Sequence, residues 1–96
     1  MNGARGEASV EVAGRMYPLC LTLGALSEIE TALGCASLSE LQVRMKSPSA
    51  AELGRVLEAL LRGGGATGGE VEAICRQCPA GVAAKAVAKA FHAALG

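Results

Sequence analysis

Apolar and polar residues alternate along residues 7–23, a spacing that is typical of β-strands. The stretch EASVEVAGRMYPLCLTL forms two antiparallel strands when Ala13 and Gly14 occupy the centre of a tight turn. In this register the cross-strand pairs are Val10 with Tyr17, Ala8 with Leu19, and Val12 with Arg15. The pattern therefore predicts an N-terminal β-hairpin.

The two faces of this hairpin differ in polarity. The apolar face collects Ala8, Val10, Val12, Tyr17, Leu19, Leu21 and Leu23, whereas the other face holds Glu7, Ser9, Glu11 and Thr22 together with Met16 and Cys20. Pro18 has no amide hydrogen, so we expect its strand at an edge of the sheet or its nitrogen turned outward. One face of the hairpin is therefore expected to be buried.

From residue 25 the apolar spacing changes to about 3.6 residues, which is typical of α-helices. Leu26, Ile29 and Leu33 form the apolar side of a first helix that ends at Gly34. A second helix is predicted from about Ser37 to Lys46. Two alternatives begin the next helix: Ser47 as the cap with Pro48 in the first turn, or a capping box of Ser49 with Glu52.

The third helix has the clearest pattern, because its apolar residues recur at helical spacing: Leu53, Val56, Leu57, Leu60 and Leu61. A glycine-rich loop at residues 63–69 ends it, and we interpret this loop as a flexible hinge. A helix over residues 70–78 and a terminal amphipathic helix, packed through small residues, follow. We therefore predict an α+β fold: a hairpin at residues 7–23 and four to five short helices within residues 25–95, in one compact domain of residues 1–96.

Composition and charge narrow the class of function. Nine basic and nine acidic residues balance, so neither nucleic acid nor an anionic membrane surface is expected as a partner. No apolar run reaches the roughly 20 residues that span a bilayer, and the N-terminus does not resemble a secretory signal. We expect a cytoplasmic protein that binds other proteins, with association to a larger particle as an alternative.

The pair Cys75 and Cys78 forms the most conspicuous candidate for chemistry, a C-x-x-C motif. On a helix these thiols share an apolar stripe with Val71 and Ile74, which favours structural, buried or half-buried cysteines. A zinc site would require four ligands, and a redox site would place the motif at the start of a helix. Metal binding and thiol chemistry remain alternatives to the structural interpretation.

The other polar residues do not form a catalytic set. His92 is the one histidine, and it is interpreted as a partly exposed helix residue. Glu28 and Glu30 lie two positions apart, which places them on different helix faces. Lys85 and Lys89 are interpreted as surface charges near a helix C-terminus. We therefore predict a protein that is not an enzyme and that has no cofactor, no metal and no catalytic residues.

Several segments resemble a known family. They are Arg5-Gly6-Glu7, Gly14-Arg15, Leu21 to Leu26, Leu33-Gly34 and Leu61 to Gly65, with Glu28 and Glu30 between them. This pattern is similar to the small gene transfer agent and prophage tail family of alphaproteobacteria, catalogued both as a tail tube protein and as a tail assembly chaperone. Two positions differ, because Ala13 replaces the acidic turn residue and Cys75 and Cys78 have no counterpart in the pattern.

The resemblance implies a role in tail morphogenesis. A protein of this family would bind the tape measure protein, keep its long helix soluble and help the major tail tube protein to polymerise. The nearest alternative is a structural tail tube component, and a small thiol- or metal-binding protein that uses Cys75 and Cys78 is another. Self-association into a homo-oligomer stays open, and the resemblance assigns no partner-binding residues.

Overall fold

The computed structural model describes residues 7–96, and it begins with the predicted hairpin. Strands β1 (Glu7–Val12) and β2 (Arg15–Cys20) pair antiparallel in the predicted register, with Ala8 opposite Leu19 and Val10 opposite Tyr17. Both turn residues have positive φ, 54° at Ala13 and 80° at Gly14, as a type I′ turn requires. The predicted places of Arg5, Gly6 and the Glu7 side chain lie outside the described part of the chain.

The hairpin ends earlier than the alternation predicted. Helix α1 (Leu23–Leu33) begins two residues before residue 25, because the Thr22 hydroxyl accepts a hydrogen bond from the Ala25 amide and caps the helix. Leu23 therefore does not extend the apolar face of the hairpin but is 83% exposed. Leu21 remains buried, as predicted. Gly34 ends α1 with a φ of 69°, the left-handed conformation that favours glycine.

Four further helices follow, so the upper number of the prediction is correct. Their bounds are α2 (Leu38–Arg44), α3 (Ala50–Gly63), α4 (Gly69–Gln77) and α5 (Ala80–Leu95). Of the two alternatives for the start of α3, the capping box is found: the Ser49 hydroxyl accepts from the Glu52 amide at 3.1 Å, and the Ser49 amide donates to the Glu52 carboxylate at 2.9 Å. Among the helices of residues 7–96, none combines the length and apolar character needed to cross a membrane.

The core lies where α3 meets the other elements. Helix α3 packs against α1, α4, α5 and β2, and α5 also covers β1. The fully buried large side chains come from the hairpin and from the predicted apolar stripes of α1 to α4: Leu19, Ile29, Leu41, Val56, Leu57, Leu60, Leu61 and Val71. The apolar side of α5 is buried through small residues, as predicted: Ala83, Ala86, Val87 and Ala90. The hairpin and helices thus share one hydrophobic core in a compact globule.

The glycine-rich segment is partly fixed in place, which corrects the hinge interpretation. Gly63 belongs to α3, and a Cβ atom added there would lie well within 3.0 Å of the Cys20 carbonyl oxygen of β2. A Cβ atom on Gly64 would meet the Pro18 carbonyl oxygen in the same way. The two glycines therefore let the end of α3 lie directly against the backbone of β2. Residues 64–68 join α3 to α4, and within them the Gly65 and Ala66 amides donate to the Arg62 and Leu61 carbonyl oxygens at 3.1 and 3.0 Å.

Candidate partner-binding surface

The two cysteines of the C-x-x-C motif are partly buried against the core, as their spacing predicted. Cys75 lies in α4, Cys78 caps its C-terminus, and both thiols are half-buried against the core. Burial raises the pKa of the Cys75 thiol to about 11, with a smaller contribution from the Glu58 carboxylate, and burial also raises the pKa of Cys78. Because the thiolate is the nucleophilic form of cysteine, this environment disfavours nucleophilic chemistry at neutral pH.

The other residues that the sequence offered for metal binding or catalysis do not form a common site in the described part of the chain. Within the described residues, no three side chains of the His, Cys, Asp and Glu types are grouped as metal ligands. Glu28 forms an ion pair with Arg62 of α3, so the Glu28 carboxylate is not paired with that of Glu30. Lys85 and Lys89 lie in the middle of α5 rather than in its last turn, so the helix-dipole explanation for them is wrong.

Two ion pairs hold the helices at their ends. Arg44 at the end of α2 donates to the Glu52 carboxylate and, at 3.0 Å, to the Leu33 carbonyl oxygen. The hydrogen bond to Glu52 raises the pKa of Arg44, and the Ser49 amide, followed by Arg44, lowers the pKa of Glu52. Arg62 of α3 donates to Glu28 of α1, and that hydrogen bond raises the pKa of Arg62. These contacts join residues that local sequence patterns cannot relate.

An apolar groove runs along α5, and we call it the α5 groove. Its volume is about 440 Å³, within the range of binding pockets in proteins. Apolar residues from the segment between α2 and α3, from the start of α3 and from α5 line it: Met45, Pro48, Leu53, Ala84, Val87, Ala88, Phe91 and Leu95. Gln42, Lys46, His92 and Gly96 complete the lining. The lining of the groove is therefore mainly apolar, and its polar side chains are those of Gln42, Lys46 and His92.

Several residues of the α5 groove are exposed although they are apolar. Leu95 is 39% exposed, Ala84 and Ala88 are exposed, and Phe91 is half-buried. The apolar stripe predicted for the last helix included Phe91 but not Ala84, Ala88 or Leu95. Those three lie on the adjacent flank of α5, and only the position of Met45 and Leu53 opposite them makes that flank concave. His92, predicted as a partly exposed residue, is exposed and lines the same groove.

Comparison with known proteins identifies a family. The sequence model of a family described as "Phage tail tube protein, GTA-gp10" matches residues 5–96. No curated protein and no solved structure matches the chain. The match spans both strands and all five helices, including the α5 groove and the contact of Gly63 and Gly64 with β2.

Proposed function

Because the chain belongs to the family of GTA-gp10 phage tail tube proteins, we propose that it acts without enzymatic chemistry in tail morphogenesis, as an assembly chaperone for the tape measure protein. In this role the protein binds an amphipathic helix of the tape measure protein and keeps it soluble until the tail tube protein polymerises around it. The observation that supports this role most directly is the α5 groove, a concave apolar surface along α5.

The shape of the groove suits a helix rather than a small polar ligand. Amphipathic helices bind by laying an apolar face into a groove between helices, with side chains at positions i, i+3 and i+4 as anchors. Phe91 and Leu95, one helical turn apart on α5, offer apolar surface along the groove, and Met45 and Leu53 offer it from the other side. Lys46 and His92 line the groove as well and suit an acidic or polar flank of the bound helix.

The test is co-expression of the chain with a tape measure segment from the same genomic locus, followed by size-exclusion chromatography. We expect a complex with the wild-type chain and loss of that complex with Ala88→Glu, which places a charge inside the groove. Ala73→Glu is the matched control, because Ala73 is also an exposed helical alanine but lies on α4 away from the groove. Absence of a complex with the wild-type chain would refute the proposal.

A structural role in the tail tube is the second candidate, and the description of the family itself supports it. The two roles differ in where the protein ends up. A chaperone is released, whereas a tube component stays in the particle in fixed proportion to the other tail proteins. We expect purified particles to lack the chain, as measured by quantitative mass spectrometry against the major tail tube protein. A stoichiometric amount in the particles would support the structural role instead.

A further inference from the structure

The outer edge of β1 has backbone groups that the hairpin does not use. In a hairpin with a two-residue turn, the flanking pair Val12 and Arg15 exchanges hydrogen bonds, and every second pair along the ladder does the same. Ser9 and Glu11 fall between these pairs, so their amide and carbonyl groups point away from β2. Outside the hairpin ladder, they form no backbone hydrogen bond with any other described residue.

The outer edge of β2 is closed by contrast. Pro18 pairs with Ser9 in the register, and its nitrogen has no hydrogen to offer to another strand. The Pro18 and Cys20 carbonyl oxygens of the same edge lie against Gly64 and Gly63 at the end of α3. Within the described part of the structure, the β1 edge is therefore the side of the two-stranded sheet at which another strand can be added.

A shallow groove of about 170 Å³ follows the β1 edge. Its lining includes the consecutive residues Ser9, Val10 and Glu11, which point to both faces of the hairpin, so the groove lies at the edge itself. The opposite wall is α5, with Val82, Lys85 and Lys89. Val82 is 39% exposed, and both lysines are exposed and form no ion pair with a described side chain.

We propose that the β1 edge binds an extended segment of another protein, added as an antiparallel or parallel strand, whose α5-facing side chains are acidic at alternate positions. The spacing fits, since Lys85 and Lys89 are one helical turn apart, about 6 Å along the axis. Side chains on one face of a strand recur every two residues, about 6.6 Å. Main-chain hydrogen bonds to Ser9 and Glu11 would provide affinity, and the lysines would select the sequence.

Charge distinguishes this partner from a second copy of the chain. Pairing two β1 edges would bring the α5 helices side by side, each presenting Lys85 and Lys89 to the same residues of the other copy. Helix α5 contains no acidic residue that could compensate for this repulsion, and Glu11, the acidic residue of the same groove, belongs to the face of β1 opposite the buried Val10. Like charges placed opposite each other suppress such an interface. An acidic strand would not be repelled by these lysines. The inference about the β1 edge does not depend on the tape measure proposal.

The probe is a short synthetic peptide with threonine at odd positions and valine, glutamate and glutamate at successive even positions, together with its reversed sequence. Binding to the full chain is followed by NMR of the backbone amides. We expect shifts at residues 8–12 and 82–89, slower hydrogen exchange at Ser9 and Glu11, and weakening by added salt. A matched peptide with lysines in place of the glutamates should bind at least about tenfold more weakly.

Two variants separate the backbone contribution from the charge contribution. Ser9→Pro removes the outward amide without touching the ladder, as Pro18 does on the other strand, and should abolish binding while circular dichroism stays unchanged. Lys85→Glu with Lys89→Glu should reverse the preference between the two peptides. Equal binding of both peptides, binding of neither, or wild-type affinity of Ser9→Pro would each overturn the proposal. A dimer of the wild-type chain that Ser9→Pro dissociates would overturn it in favour of a second copy.

Discussion

At the scale of single residues, Ala13 in the turn of the hairpin has an unfavourable backbone conformation, and a substitution can relieve it. Ala13 has a φ of 54°, a region that costs most L-residues about 1–2 kcal/mol. Asparagine tolerates this conformation and is preferred in type I′ turns. We expect Ala13→Asn to raise the free energy of unfolding by about 0.5–1 kcal/mol in urea titrations. Ala36→Asn, at an exposed loop position without positive φ, should bring no such gain.

Cys75 leads to a prediction about pH. Its folded-state pKa of about 11 lies above the ordinary value near 9, so the folded chain holds the proton more tightly than the unfolded chain. The resulting stability is complete below the ordinary pKa and is lost as pH rises through about 11. We expect the free energy of unfolding to fall more steeply from pH 9 to pH 11 in the wild type than in Cys75→Ala.

The comparison of slopes, rather than of absolute stabilities, avoids the effect of the lost side-chain packing. Cys20→Ala is a control from a different part of the fold, because Cys20 lies in β2 rather than in α4. The Cys75 and Cys78 thiols should also react slowly with a bulky disulfide reagent at neutral pH. Identical slopes for wild type and Cys75→Ala, or fast labelling of the folded chain, would contradict the burial that explains the raised pKa.

At the scale of elements, the contact of α3 with β2 gives opposite expectations for two glycines of one helix. Gly63→Ala forces the new methyl group into the Cys20 carbonyl, and overpacking of this kind costs about 1–3 kcal/mol or more. Gly54→Ala meets no atom within 4 Å and should stabilise the helix by about 0.5–1 kcal/mol. Urea unfolding measures both. A neutral Gly63→Ala would mean that the end of α3 is the flexible hinge that the sequence suggested.

The elements themselves could be predicted because their information is local. The register of β1 with β2 follows from alternation and a two-residue turn, and the stripe of Val56, Leu57 and Leu60 follows from helical spacing. The start of α1 was misplaced because Leu23 continues the alternation, whereas the Thr22 cap begins the helix. At these positions Thr22 favours the start of a helix, whereas Leu23 favours a continued strand. Alternation alone does not show which of the two structures forms.

The surfaces depend on contacts between distant parts of the chain, which explains why the sequence did not locate them. Gly63 and Gly64 look like helix terminators in the sequence, and their contact with Cys20 and Pro18 exists only in the folded chain. The α5 groove likewise arises because Met45 of the α2–α3 segment lies opposite Phe91. Helix periodicity identified the buried side of α5, but a flank becomes a binding surface only through what lies beside it.

At the scale of the whole molecule, α5 forms a wall of two different surfaces. One flank lines the α5 groove through Ala88, Phe91 and Leu95, and the other lines the β1 edge through Lys85 and Lys89. The two surfaces share no residue, and the first is apolar whereas the second combines backbone hydrogen-bonding groups with charge. The helix and the strand proposed as partners would therefore lie on opposite sides of α5 and would contact different residues.

This arrangement predicts that the two surfaces act independently. Ala88→Glu should abolish binding of the tape measure segment and change the affinity for the acidic peptide by less than about twofold, while Ser9→Pro should do the reverse. Distant substitutions without shared partners add within about 0.5 kcal/mol, so the double variant should show the sum of both effects. Isothermal titration calorimetry of the four proteins measures this. A larger coupling energy would mean that α5 shifts when one surface is occupied, so that the helix transmits binding from one partner to the other.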